Sequence, residues 1–145
     1  MLNSFRKLIW NLSSQTEHFK GKERIVALLS RPGALSQIAI KRQGVNWYLQ
    51  GHDLNEFAIA VRKNHSSLLS QSLNEEIEKN NIRTFWDIGA NIGLYSRQCI
   101  NIFKKIDKIF AYEPHPNNYS LLLKNLANIN DVEVNMFGLG TSNSN

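Results

Sequence analysis

Residues 85–93 read Phe-Trp-Asp-Ile-Gly-Ala-Asn-Ile-Gly, an apolar run that leads directly into a turn containing two glycines. A second apolar run, residues 109–112, ends on Glu113, which lies twenty-four residues beyond Gly89. In an α/β sheet, a glycine turn after one strand lets a ligand approach the backbone, and a carboxylate after the next strand can bind ribose hydroxyls. The two features together predict a parallel sheet with a nucleoside-binding edge.

Strand and helix patterns alternate regularly around these two places. The predicted order is a strand over 82–88, a helix over 91–103, a strand over 106–112, a helix over 116–126 with Pro116 at its first position, and a strand over 132–137. A β-α-β-α-β order implies parallel strands joined by right-handed crossovers. The predicted fold class is therefore α/β and Rossmann-like, and it is incomplete because the pattern contains only the N-terminal half of the parallel sheet.

The region before this pattern is less regular. It predicts helices over 2–12 and 23–29, a hairpin of 37–41 with 45–50, and helices over 54–63 and 68–80. Arg31-Pro32-Gly33 interrupts the helical pattern and predicts a boundary. The predicted organisation is an N-terminal helical extension (1–33), a hairpin and helices leading into the core (34–81), and a cofactor-binding half-domain (82–145), whose polar tail is expected to fray.

Composition narrows the class of protein. The 145 residues are 42% hydrophobic, without the uninterrupted apolar run that a membrane-spanning helix or a secretory signal needs, so a cytoplasmic protein is expected. The single cysteine, Cys99, excludes an internal disulfide framework and a multi-cysteine zinc site, and its helical spacing predicts burial.

The net charge of +5 comes from residues 1–63, which hold ten Lys/Arg against four Asp/Glu. A solvated basic face explains this excess better than binding to a polyanion or an anionic membrane surface does.

The glycine spacing distinguishes between cofactors. A dinucleotide fingerprint needs glycines at relative positions one, three and six, where this chain has Gly89, Asn91 and Leu94, and no Gly-Lys-Ser/Thr run indicates a phosphate loop. A helix beginning near Asn91 would offer N–H donors to a carboxylate or phosphate. Asp87 places a negative charge beside the pocket expected at this helix end, where it would repel a phosphate but suit a zwitterion that carries both an ammonium and a carboxylate group. These features disfavour a nicotinamide-dependent oxidoreductase.

Longer stretches around these residues resemble a known family. Residues 85–96 and 110–116 are similar to the FkbM-like branch of the class I S-adenosylmethionine-dependent methyltransferases, as are the helix 118–126 and the strand 132–134. The resemblance covers about residues 82–140. It implies an enzyme that uses S-adenosylmethionine to methylate a hydroxyl of a sugar or secondary metabolite, with a small-molecule or glycan acceptor and no nucleic acid partner.

The resemblance also implies roles for matched positions. The implied cofactor-binding residues are Asp87, Gly89, Ala90, Asn91, Gly93, Glu113, Pro114 and Gly138. Asp87 would face the methionine amino group, and the turn from Gly89 to Gly93 would cradle the methionine carboxylate. Glu113 would bind both ribose hydroxyls, Pro114 would shape the adjoining loop, and Phe137-Gly138 would lie near the adenine edge.

Structural alternatives exist for each feature taken singly. Gly89 can serve turn geometry alone, Asp87 can cap a helix, and Glu113-Pro114 can simply end a strand. No catalytic residue is assigned, although His18, His52, Asp53, His65 and His115 are candidate bases. His115 is expected at the cofactor rim.

The strand pattern departs from that of a complete methyltransferase because it stops after the third strand. Half of the expected binding crevice therefore has no wall, and the strand over 82–88 would have an unpaired edge unless the N-terminal hairpin or a partner covers it. An uncovered edge of this kind favours self-association or instability. The alternative to an enzyme is a non-catalytic remnant or interaction module that keeps part of the cofactor-binding geometry.

Overall fold

A computed structural model describes residues 2–17, 19–30, 37–42, 45–50, 56, 59, 67–102 and 106–140. The chain forms two compact units, Met1–His65 and Ser66–Asn145. Several predicted features lie outside the described residues: the Arg31-Pro32-Gly33 boundary, most of the 54–63 helix, the tail from 141, and the candidate bases His18, His52, Asp53 and His65. The three-segment division proposed from the sequence stays a prediction.

The described residues of the first unit form two helices and a hairpin. These elements are α1 (Leu2–Gln15), α2 (Lys22–Ser30), β1 (Ile38–Arg42) and β2 (Val45–Leu49), and the two strands pair antiparallel as predicted. Buried Ile38, Ile40, Trp47 and Leu49 alternate with exposed residues, which is the period-two pattern of a sheet with one covered face. The buried Lys22 ammonium donates to two carbonyl groups at the C-terminal end of α1.

The second unit contains the predicted alternation of strands and helices. Its elements are α3 (Ser67–Asn80), β3 (Thr84–Ile88), α4 (Leu94–Ile102), β4 (Lys108–Tyr112), α5 (Pro116–Leu126) and β5 (Val132–Asn135). The three strands are parallel in the order β3-β4-β5, with Trp86 opposite Phe110 and Phe110 opposite Glu133. The unit is thus an incomplete, Rossmann-like α/β fold, equivalent to one half of a doubly wound sheet.

One face of this sheet packs against the helices. Ile109 of β4 clusters with Ile77 of α3 and Cys99 of α4, and Ala111 clusters with Leu122 of α5. Cys99 is therefore buried, as predicted.

On the opposite face of the sheet, the two apolar side chains of β3 are more than half exposed. Trp86 is 55% exposed and Ile88 62%, and the Trp86 ring lies 5.5 Å from that of Phe110. Within the described residues β3 pairs only with β4, and the hairpin forms a separate two-stranded sheet. As far as the described ranges extend, β3 therefore has the unpaired edge expected from the sequence.

At the N-terminal ends of β3 and β4, the Arg83 guanidinium donates two hydrogen bonds to the Asp107 carboxylate, at 2.7 and 2.8 Å.

None of the helices in the described ranges is long and apolar enough to cross a membrane.

Candidate cofactor site

A turn of unusual backbone conformation connects β3 to α4. Gly89, Asn91 and Gly93 have φ angles of 76°, 51° and 88°, all in the left-handed region. A right-handed helix cannot include such residues, so α4 begins at Leu94 and not near Asn91 as the sequence predicted. Residues 89–93 are called the glycine turn below.

The carboxyl end of β4 holds the glycine turn through its backbone. The carbonyl oxygen of Tyr112 accepts hydrogen bonds from the N–H groups of Gly89 and Ala90, both at 2.9 Å. Within the turn, the N–H of Gly93 donates to the carbonyl of Ala90 at 2.8 Å. These three N–H groups are therefore satisfied by the chain itself, and they shape the turn.

Glu113 connects the glycine turn to the start of α5. Its carboxylate is buried; Oε2 accepts from the Asn91 N–H at 2.8 Å, and Oε1 accepts from the His115 N–H at 2.9 Å. The two sequence features that were expected to meet at one edge of the sheet are thus in direct contact. Each carboxylate oxygen has a second lone pair, so Glu113 can still accept hydrogen bonds from a ligand.

Asp87 contacts α4 directly. Its buried Oδ2 accepts from both the backbone N–H and the hydroxyl of Ser96, at 2.9 and 2.6 Å. Burial raises the pKa of Asp87 above its ordinary value, and the two bonds from Ser96 partly counteract that shift. These contacts match the helix-capping alternative, in which a carboxylate complements the positive end of α4.

The two glycines differ in what surrounds them. A Cβ built on Gly93 would lie 2.8 Å from Leu122 Cδ1 and 3.3 Å from Leu126, so Gly93 allows α5 to pack closely on the turn. A Cβ on Gly89 would meet no atom within 4 Å. The backbone at Gly89 is therefore open, and a ligand can approach it as the sequence predicted.

The ends of β4 and β5 form a second part of the same edge. The Phe137 ring lies 5.3 Å from that of Tyr112, and a Cβ on Gly138 would lie 4.0 Å from Pro114. Asn135, the last residue of β5, has a buried Nδ2 with no hydrogen-bond partner among the described residues. This donor was not identified from the sequence, because an asparagine ending a strand usually indicates only a turn.

The reactive groups near this edge are few. His115 is exposed at the N-cap position of α5, and its side chain makes no capping bond. Burial and the charge of Asp87 raise the pKa of the Cys99 thiol to about 12, so this cysteine is a core residue and not a nucleophile.

Together these residues suit a small nucleoside-bearing ligand that has an anionic end. Glu113 offers carboxylate oxygens, Gly89 offers open backbone, and the buried Asn135 amide offers a donor. At the start of α4, the N–H of Arg97 donates to the carbonyl of Gly93, and the N–H of Ser96 donates to Asp87. Among the described residues, the N–H groups of Leu94 and Tyr95 are therefore the donors at this helix end that remain for a ligand.

Comparisons with solved structures find methyltransferases. A candidate caffeoyl-CoA O-methyltransferase from Staphylococcus aureus has 26% identity and a TM-score of 0.45, over 56% of this chain and 40% of that one. TYW2 of M. jannaschii, solved in complex with AdoMet, has 19% identity and a TM-score of 0.45, over 72% of this chain and 44% of that one. A candidate RNA methyltransferase from Pyrococcus horikoshii has 16% identity and a TM-score of 0.44, over 56% and 42%.

The chain thus spans less than half the length of the methyltransferase structures it matches. No protein-family model and no curated protein matches the sequence. TM-scores below 0.5 are too low to transfer an activity to this chain.

Proposed function

We propose that the second unit is the cofactor-binding half of a class I S-adenosylmethionine-dependent methyltransferase. The observation that carries this proposal is the contact between Glu113 and the Asn91 N–H, because it joins a strand-end carboxylate to an open glycine turn. A free carboxylate on a loop would need ordering by the ligand. Glu113 is instead fixed by two backbone donors before any ligand binds, which lowers the entropic cost of binding.

In this proposal the residues act on three parts of the cofactor: the ribose, the adenine and the methionine part. Glu113 accepts hydrogen bonds from the ribose hydroxyls, while Pro114, Phe137 and Gly138 border the adenine. The glycine turn shapes the pocket for the methionine part, whose carboxylate is attracted to the N-terminal end of α4. Asp87 acts on the methionine part through α4, because its Oδ2 atom is bonded to Ser96.

The finer proposal is the FkbM type of reaction, transfer of a methyl group to a hydroxyl of a sugar or secondary metabolite. S-adenosylmethionine supplies a methyl group on a positively charged sulfur. The protein's part in such a displacement is chiefly alignment of the two reactants, which removes much of the entropic barrier. The motif similarity of residues 85–96 and 110–116 supports this assignment.

The test is calorimetric titration of the full chain with S-adenosylhomocysteine. Saturable one-to-one binding is expected, and Glu113→Ala should weaken it by about 1–3 kcal/mol through loss of charge-assisted hydrogen bonds. The matched control is Glu133→Ala, which removes an exposed carboxylate of β5 that interacts with Lys108 at 3.9 Å. Equal affinity in the two variants would contradict the assigned site.

The second candidate is a non-catalytic remnant or interaction module, and it is favoured by the exposed sheet face. Parallel sheets are normally covered on both faces, whereas Trp86 and Ile88 are more than half exposed. A folded chain that does not bind S-adenosylhomocysteine would support this candidate over the enzyme.

A further inference from the structure

Asn125 is a buried amide on the apolar face of α5. It is 1% exposed, and the other buried residues of this helix are Leu121, Leu122 and Leu126. Burying an amide among leucines is unfavourable unless the amide is hydrogen-bonded. Its Nδ2 donates to the carbonyl oxygen of Ile92 at 2.9 Å, a contact between residues thirty-three positions apart.

The acceptor of this bond, the carbonyl oxygen of Ile92, belongs to the glycine turn. The carbonyl of Ile92 and the N–H of Gly93 belong to one planar peptide unit, so fixing one group fixes the other. The N–H of Gly93 donates to the carbonyl of Ala90, and Asn125 binds the opposite side of the same unit. Gly93 can adopt either sign of φ, so this peptide could otherwise rotate.

We infer that Asn125 is a positioning residue of the proposed cofactor site. By holding the Ile92–Gly93 peptide, it fixes the direction in which the chain enters α4, and with it the N–H groups of Leu94 and Tyr95. Asn125 acts on the methionine part of the ligand through the glycine turn, and it does not contact the ligand itself. The inference rests on the proposed function, because it requires a ligand whose methionine part faces the glycine turn.

The test compares two ligands on the full chain. S-adenosylhomocysteine contains the methionine-derived part, and adenosine lacks it. Asn125→Leu removes the donor while keeping a similar volume, and it is expected to raise the Kd of S-adenosylhomocysteine roughly tenfold while the Kd of adenosine stays within about twofold. The matched control, Leu121→Ala, lowers the stability of the same helix without removing a hydrogen bond to the turn, and it should leave the ratio of the two Kd values unchanged.

Three results separate the possible failures. An unchanged Kd ratio in Asn125→Leu, with binding by the original chain intact, would overturn the role of Asn125 alone. An equal change of the Kd ratio in Leu121→Ala would show that the effect of Asn125→Leu comes only from lower stability of α5, and it would overturn the positioning role. Absence of saturable S-adenosylhomocysteine binding by the original chain would refute the proposed function instead.

A second measurement does not depend on the variant folding. Hydrogen exchange at the Gly93 amide of the original chain is expected to be slow, because both sides of the peptide are bonded. Exchange as fast as that of an unstructured amide would overturn the inference without any substitution.

Discussion

Replacing Gly93 with alanine should cost far more stability than replacing Gly89. Both residues have left-handed φ angles, which cost an alanine about 1–2 kcal/mol. Only at Gly93 would the new methyl group meet Leu122 at 2.8 Å and Leu126 at 3.3 Å. Leu122 is fully buried and cannot move aside freely, so overpacking adds about 1–3 kcal/mol.

The free energy of unfolding should therefore fall by about 2–5 kcal/mol in Gly93→Ala and by about 1–2 kcal/mol in Gly89→Ala. The entropic effect of removing a glycine from the unfolded chain is common to both variants and cancels in the comparison. Native-state hydrogen exchange at the β4 amides measures the loss of stability at the central strand of the second unit. Equal losses, or a larger loss in Gly89→Ala, would refute the assignment of Gly93 to close packing.

Further predictions concern charge and reactivity. Because the pKa of Asp87 is raised in the native state, the native chain still holds the carboxyl proton of Asp87 at pH values where the unfolded chain has lost it. The stabilisation that this proton provides is therefore lost as the pH rises from the unfolded-state pKa through the native-state pKa. In urea unfolding, the stability of the original chain relative to Asp87→Asn should therefore increase from pH 7 to pH 4; a decrease would contradict the shift. Cys99 should not react with a disulfide reagent at pH 8 until the chain is unfolded, and rapid reaction of the folded chain would show that the thiol is accessible. Arg83→Ala should cost less than about 1 kcal/mol in urea unfolding, because its ion pair with Asp107 is more than half exposed; a larger loss would indicate an additional role for Arg83.

The order of the elements could be predicted from the sequence because each element has its own local signal. Apolar runs indicated β3 and β4, and α5 runs from Pro116 to Leu126 as predicted from a proline at the first helical position. Helical spacing likewise placed Cys99 in the core. The methyltransferase resemblance, with its FkbM branch, stays a proposal.

The start of α4 could not be predicted in the same way. Asparagine is a common residue at helix starts, and the sequence pattern does not reveal that Asn91 has a positive φ. That conformation accompanies the contact with Glu113, which is twenty-two residues away and leaves no periodic signal.

The roles of the buried polar side chains depended equally on three-dimensional contacts. Ser96 and Asn125 were not identified as important, although Asn125 occurs at the helical spacing of buried leucines, which is a detectable signal. The partner of Asp87 could not be read from the sequence either, since a carboxylate after a strand is compatible with a ligand or a helix end.

The three tryptophans of the chain have very different surroundings. Trp10 and Trp47 in the first unit are 0% and 7% exposed, whereas Trp86 in the second unit is 55% exposed. The fluorescence of the intact protein should therefore combine blue-shifted emission from one unit with red-shifted, acrylamide-quenchable emission from the other. Following the two signals through a urea titration, with Trp86→Phe to isolate the first, would show whether the two units melt together or separately.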